Sequence, residues 1–253
     1  MDINTFLTNT VILTQPLEQF EIVYLGSIAG IPINNSLIYL IFVYLIIRFI
    51  FGLVLMNMRL IPLNLQVFAE QMYNFVFGLV KQQINVKGYP YFPVIFTLFT
   101  FILVANLVGM ALYSFTLTSH VTVAFTLSFS FFIAIIIVGI LIQKAEFVNT
   151  FIPSGAPKAL KPLLIVIEII SYFSRPFSLG IRLFANIMAG HTLLAILANF
   201  TFLISKANIV IAAIPFFLIV AILGLESMIA GLQAYVFTIL VCIYLNDSIH
   251  GSH

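Results

Sequence analysis

The polar side chains of greatest interest lie inside an otherwise apolar stretch in the last third of the chain. Glu168, Arg175 and Arg182 follow one another at intervals of seven residues, and Asn186 comes four residues later. Seven residues make about two turns of an α-helix, so these side chains share one stripe of a helix. A charge at the centre of a bilayer costs about 2.5–3.5 kcal/mol on insertion scales. Ionisable residues in such a stretch therefore indicate a function.

A second apolar stretch carries a complementary set. Glu226 and Gln233 are again seven residues apart, and Asp247 lies near the end of the stretch. His191 lies nine residues beyond Arg182, about half a turn away from its stripe. Two such helices packed antiparallel can line a water-filled path, and an acid and a histidine that face each other can exchange a proton. We therefore expect His191 and Glu226 to approach within hydrogen-bond reach, directly or through one water.

Polar residues in a membrane helix can also serve only as contacts between helices. This alternative stays open for Arg175, which precedes Pro176 and could pair with Glu168. For Arg182 we expect another role, because few carboxylates are available to neutralise it and arginine stays charged. A permanent cation near the middle of a membrane suggests a carboxylate on a partner protein.

The composition is that of an integral membrane protein. Of 253 residues, 62% are hydrophobic and only 7% are charged, whereas about a quarter of the residues in soluble domains are charged. The net charge of +2 provides no basic patch for nucleic acid. The chain has a single cysteine and no Cys/His cluster with metal-ligand spacing, so we expect no disulfide, metal or cofactor.

Five segments reach the length of about 20 apolar residues that a membrane helix needs. We therefore predict an all-α membrane protein with a single domain, residues 1–253. Its predicted spans are residues 36–56, 92–113, 121–142, 158–205 and 208–246. As upright helices the last two would be much longer than the bilayer is thick. We expect them to be long, strongly tilted and joined as a hairpin.

A further helix is predicted at residues 62–82, where apolar residues recur at intervals of three and four. Lys81 and Lys87 lie at and beyond its end. We expect this amphipathic helix to lie on the inner membrane surface. Docking on a partner subunit is the alternative.

Lysine and arginine predict the orientation of the chain. The first and third connections between spans hold or adjoin Arg48, Arg59, Lys81, Lys87, Lys144, Lys158 and Lys161. The second and fourth hold only Lys206. The positive-inside rule places the first and third connections inside, the N-terminus outside and the C-terminus inside. On the outer side we expect His120 to be solvated, and we expect Asn106 to be a contact between helices.

Several segments together resemble one family. SRPFSLGIRLFANIMAGH, residues 174–191, resembles the hallmark segment of subunit a of F-type ATP synthases, and LQAYVFTILVCIYL, residues 232–245, resembles its final helix. PLEQFEI and the segments 90–120 and 151–180 look like the mitochondrial, specifically fungal, members. The resemblance covers most of the chain.

The resemblance implies a proton-translocating stator subunit of a rotary ATP synthase, without catalytic chemistry of its own. It implies a multi-pass protein of the mitochondrial inner membrane, with the N-terminus in the intermembrane space and the C-terminus in the matrix. The implied partners are the ring of c subunits, the peripheral stalk, other small membrane subunits and the lipid bilayer. No nucleic acid is expected.

Residue roles follow from the matched positions. Arg182 matches the essential arginine that faces the carboxylates of the c-ring between two half-channels. Asn186 and Gln233 match polar residues close to that arginine.

His191 and Glu226 match positions at which bacterial members often carry the acid and the histidine in exchanged order, which implies one shared proton site. Glu168 matches an acidic residue where protons enter from the intermembrane space. We accordingly expect Glu168 on the same outer aqueous side as His191 and Glu226, and Asp247 near the inner end of its helix.

Other classes of membrane protein fit the sequence less well. A haem-binding subunit of a respiratory complex would need paired histidines on facing helices, and only His191 lies firmly within a span. A secondary transporter would show two related halves with matching broken helices, and no such halves are visible. Another proton-conducting membrane subunit or transporter is the remaining alternative.

Overall fold

The computed structural model describes five stretches of the chain, residues 20–28, 31–56, 58–110, 116–144 and 161–250. A short antiparallel hairpin of β1 (Tyr24–Ile28) and β2 (Ile31–Asn34) precedes the helices. The α-helices are α1 (Asn35–Met56), α2 (Asn64–Gln83), α3 (Phe92–Gly109), α4 (Val121–Gln143), α5 (Lys161–Ala207) and α6 (Ile209–His250). Two short 3₁₀ turns, Asn85–Tyr91 and Leu117–Ser119, precede α3 and α4.

Within the described stretches, five helices are long and apolar enough to cross a membrane: α1, α3 with the turn before it, α4, α5 and α6. The prediction of an all-α membrane protein with about five spans is confirmed. α5 has 47 residues and α6 has 42, so they measure about 70 and 63 Å at 1.5 Å per residue. The prediction that the last two spans are long is confirmed too.

The largest differences between helix ends and predicted spans are at three places. α3 ends at Gly109, and the predicted continuation to 113 falls largely on residues outside the described stretches. The predicted start of the fourth span at 158 also lies outside them. α6 continues to His250, four residues beyond the predicted end.

The hairpin of β1 and β2 was not predicted. Its residues do not alternate strictly between apolar and polar, and the strands have only five and four residues, so the period of two is hard to detect. A register shift occurs between Tyr24 and Gly26, and Gly26 has a φ of 157°, which favours glycine.

α5 and α6 pack against each other as an antiparallel pair, with α4 beside both and α3 against α6. Close approach of α4 and α5 is possible because Gly180 faces Phe125 without a side chain of its own. The Ser128 hydroxyl then donates to the Pro176 carbonyl at 2.6 Å. At the other end of α4, the Gln143 amide donates to the Ser248 carbonyl at 2.8 Å. These contacts fix the hairpin on the smaller helices.

The amphipathic helix α2 docks on its own chain. Val76 and Val80 in its second half are fully buried, and the helix contacts α1, α3 and α6. Phe75 also packs its ring near Phe99 and Tyr235, with centroids 5.7 and 5.9 Å apart. In the second half of α2, the apolar face therefore packs against other helices of the same chain.

The expectations for Asn106 near the end of α3 and for His120 before α4 have different outcomes. Asn106 is a contact between helices, as expected: its amide donates to the Ala230 carbonyl at 3.3 Å, and its oxygen accepts from the Thr118 hydroxyl at 3.0 Å. The expectation that His120 is solvated holds only in part. This residue is partly buried before α4, and burial lowers its pKa.

Candidate functional site

His191 on α5 and Glu226 on α6 face each other across the hairpin. The His191 Nε2 atom lies 3.5 Å from the Glu226 Oε1 atom, and the side chains are only 12% and 4% exposed. Among the described residues, neither these atoms nor Glu226 Oε2 has a hydrogen-bond partner. The separation slightly exceeds a normal hydrogen bond. A small side-chain movement or one water would therefore complete a proton connection, and the expected proximity is observed.

Gly190 makes room for this carboxyl group. A Cβ atom at Gly190 would lie 2.7 Å from Glu226 Oε1 and 2.9 Å from its Cδ. Sequence reasoning missed this position. The available signal was a glycine in the interior of a helix, where it costs up to about 1 kcal/mol relative to alanine and so calls for a packing reason.

Asn186 and Gln233 form a second polar contact between the two helices. The Asn186 amide donates to Gln233 Oε1 at 3.0 Å. Gln233 is fully buried, and its own amide nitrogen has no hydrogen-bond partner among the described residues. Along α5 this pair lies between Arg182 and the His191–Glu226 contact. The polar side chains therefore continue from one to the other.

Arg182 is exposed at the surface of the hairpin, while Leu183 beside it is fully buried. Within the part of the chain that the structure describes, no acid forms an ion pair with Arg182. Arg182 is thus a permanent cation on an apolar surface, and none of the carboxylates in the described stretches pairs with it.

Another polar cluster surrounds Arg175, apart from His191 and Glu226. Its Nη1 atom lies 3.4 Å from Asp247 Oδ2. The guanidinium also lies over the rings of Tyr172 and Tyr244, at 5.3 and 4.9 Å from their centroids, within the range of cation–π attraction. Arg175 therefore pairs with Asp247, and the alternative pairing with Glu168 is wrong.

Glu168 lies seven residues before Arg175 on α5, at the end of the hairpin where Asp247 lies. Glu168, expected on the same outer aqueous side as His191 and Glu226, lies in another part of the hairpin. Glu168 and His191 are 23 residues apart on one continuous helix, which corresponds to about 34 Å. The antiparallel partner brings the C-terminal end of α6, with Asp247, to the N-terminal part of α5.

The hairpin thus carries two separate polar clusters, which we call the histidine cluster (Asn186, His191, Glu226, Gln233) and the arginine cluster (Glu168, Arg175, Asp247). Arg182 lies between them, nine residues from His191 and seven from Arg175, or about 14 and 10 Å along the helix. No group of three or more His, Cys, Asp or Glu among the described residues is placed to hold a metal ion.

Comparisons with known proteins show which family the sequence is similar to. A family described as ATP synthase A chain matches residues 37–246. A protein called ATP synthase subunit a from Acanthamoeba castellanii is 46% identical over 244 residues, which cover 94% of this chain and 98% of that protein. A protein of the same description from Chondrus crispus is 46% identical over 243 residues, covering 93% and 96%. The matched family range includes both clusters except Asp247.

Proposed function

Since the chain belongs to the ATP synthase A chain family, and is therefore a proton-translocating membrane subunit of an ATP synthase, we propose that it forms two half-channels separated by Arg182. In this proposal Arg182 faces the carboxylates of the ring of c subunits. The observation that carries the proposal is the position of Arg182, exposed and without an acid partner among the described residues, between two polar clusters.

The histidine cluster forms the outer half-channel. A proton arriving at His191 or Glu226 moves between them and then to a ring carboxylate, with the Asn186–Gln233 contact bordering the path. Once protonated, the ring carboxyl is neutral and can enter the lipid at little cost, whereas the ionised form cannot. A ring carboxyl can therefore move away from Arg182 into the lipid only while its proton is bound.

The arginine cluster borders the inner half-channel. Glu168 and Asp247 provide carboxylates there, and Arg175 balances the charge of Asp247 while two tyrosine rings hold its guanidinium in place. A ring carboxyl that reaches this side releases its proton because water and the positive charge of Arg182 favour the ionised form. The proton path through Glu168 thus belongs to the exit and not to the entrance.

The driving energy comes from the field across the membrane. Each proton that crosses gains about 2.3 kcal/mol per 100 mV. This chain makes and breaks no bond in the process. Its side chains hold and pass protons, and Arg182 prevents a direct connection between the half-channels.

The protein is a multi-pass membrane protein, and we place it in the mitochondrial inner membrane. The proposed orientation has the N-terminus in the intermembrane space and the C-terminus in the matrix. It is supported by the lysines and arginines in the first and third connections. The histidine cluster then lies toward the intermembrane space and the arginine cluster toward the matrix.

Cross-linking to the ring tests the orientation of Arg182. Ala185 is exposed three residues after Arg182 on α5, so it lies on nearly the same face. We expect an Ala185→Cys variant in the intact ATP synthase to form a disulfide with a cysteine placed beside the ring carboxylate. The measurement is the amount of cross-linked a–c product after mild oxidation.

The matched control is Ile137→Cys on α4, because Ile137 is also exposed but belongs to another helix. The single natural cysteine, Cys242, is buried and serves as the background. Equal cross-linking at Ala185 and Ile137, or none at Ala185, contradicts the proposed ring interface.

A Gly190→Ala substitution tests the position of the Glu226 carboxyl. The added methyl group would lie only 2.7 Å from Glu226 Oε1, so the carboxyl group would have to move from its place beside His191. We expect proton-driven ATP synthesis to fall about tenfold or more, since displacements of about 1 Å can cost a hundredfold in rate. Assembly should not suffer, because alanine favours a helix by about 1 kcal/mol over glycine.

Gly224→Ala is the control, because a Cβ atom there meets no other atom within 4 Å. ATP synthesis per assembled complex is compared between the two variants. If both retain the parent rate, the space at Gly190 has no functional role.

A further inference from the structure

The N-terminal segment reaches the histidine cluster. The ring of Phe20 meets the His191 imidazole in a T-shaped arrangement, with centroids 6.1 Å apart and an interplanar angle of 86°. Phe20 precedes β1 and is far from His191 in sequence. The contact is therefore a tertiary one. It joins the residues just before β1 to the middle of the hairpin of α5 and α6.

Two hydrogen bonds hold this segment in place. The Asn35 side-chain amide donates to the Glu21 carbonyl at 2.9 Å, and the Asn35 backbone N–H donates to the Val23 carbonyl at 3.2 Å. Asn35 is the first residue of α1, so both bonds tie the segment to a membrane helix. Residues 20–23, which we call the cover segment, are thereby fixed against the start of α1.

The His191 ring needs such support. The torsion that turns an imidazole about its bond to Cβ is broad, and the Nε2 atom has no hydrogen-bond partner among the described residues. At 3.5 Å from Glu226 Oε1, this atom must move closer or be joined by one water before a proton can pass, so the orientation of the ring matters. A ring packed edge to face restricts the imidazole plane.

We propose that Phe20 is a positioning residue that holds the His191 imidazole toward Glu226, and that the cover segment shields this pair from the outer aqueous side. The inference rests on the proposed function of the histidine cluster. It adds the N-terminal segment to the outer half-channel. Phe20 itself carries no proton and acts only through His191.

The first experiment compares Phe20→Ala, Phe20→Leu and Phe20→Tyr in the intact ATP synthase. We expect the first two to lower proton-driven ATP synthesis per assembled complex about two- to tenfold, the range that corresponds to the loss of an aromatic pair. Phe20→Tyr keeps the ring and should retain nearly the parent rate. Leucine keeps the apolar volume, so a role in packing alone predicts normal synthesis in Phe20→Leu.

The control is Tyr24→Ala in β1, whose side chain is 61% exposed. It alters the same part of the chain without removing the contact to His191, and should leave synthesis unchanged. Normal synthesis in Phe20→Leu, or an equal loss in Tyr24→Ala, overturns the positioning role.

A second experiment is independent of proton transport. A His191→Cys variant is exposed to a membrane-impermeant thiol reagent from the outer side, and labelling of this chain is followed over time. Adding Phe20→Ala should raise the labelling rate about two- to tenfold, while Tyr24→Ala should not. The parent chain, with only buried Cys242, gives the background.

An unchanged labelling rate in the Phe20→Ala background overturns the shielding, even if the histidine cluster carries protons. Conversely, normal synthesis in variants of Glu226 and His191 would refute the proposed function without affecting the labelling result. The two failures are therefore distinguishable.

Discussion

Replacement of Arg182 by alanine should lower ATP synthesis driven by a proton gradient by about a hundredfold or more, the scale on which loss of a preorganised polar group acts. The reason is that Arg182 is the charge exposed between the two polar clusters, and no acid among the described residues neutralises it. Without it, a ring carboxyl can exchange protons with both half-channels. Passive proton flux through the membrane should therefore rise while synthesis disappears.

The Arg182→Lys variant separates charge from shape. Lysine keeps the positive charge but replaces the planar, weakly hydrated guanidinium by a compact, strongly hydrated ammonium. A guanidinium can meet a passing carboxylate from several directions with paired hydrogen bonds. We expect Arg182→Lys to lose coupled synthesis as well, with less proton leak than Arg182→Ala because a cation remains.

Both variants are measured for ATP synthesis and for proton flux without ionophore, per assembled complex. Arg59→Ala is the control: Arg59 is an exposed cation whose hydrogen bonds to Gln66 use only its backbone. Near-normal synthesis in Arg182→Ala would refute the assignment of Arg182 as the barrier between half-channels.

The length of the apolar segments was the most informative sequence feature for the fold. Stretches too long for an upright span predicted the long helices α5 and α6, because no polar loop interrupts either one. The β1–β2 hairpin could not be predicted, since short strands with irregular alternation leave little periodic signal. Nor could the docking of α2, because an apolar helical face is the same whether lipid or protein covers it.

For the site, spacing predicted which residues share a helix face but not which residues meet across helices. The approach of His191 and Glu226 followed from their complementary chemistry. Glu168 lies at the Asp247 end of the hairpin, where a helix rise of 1.5 Å and the antiparallel topology place it. The contact between Phe20 and His191 had no sequence signal, because ring contacts far apart in sequence depend on the tertiary fold.

Replacement of Glu226 by glutamine should also lower proton-driven ATP synthesis about a hundredfold or more, within the range attributed to general acid–base groups. Glutamine keeps the size of the side chain and its fit beside Gly190, but it cannot take up or release a proton. His191→Ala should reduce synthesis too, by removing the partner whose Nε2 atom lies 3.5 Å from Glu226 Oε1.

The double variant, Glu226→Gln with His191→Ala, reveals whether the two residues form one proton site. The effects of mutating residues that act as a unit do not add, so the double variant should be no worse than the more damaging single one.

Glu70→Gln on α2 is the control. Glu70 is an exposed carboxylate that accepts a hydrogen bond from Gln66 and should tolerate the change. The measurement is ATP synthesis per assembled complex at fixed proton gradient in all four variants. Losses that multiply in the double variant would mean that His191 and Glu226 act in separate steps, and undiminished synthesis would remove both from the proton path.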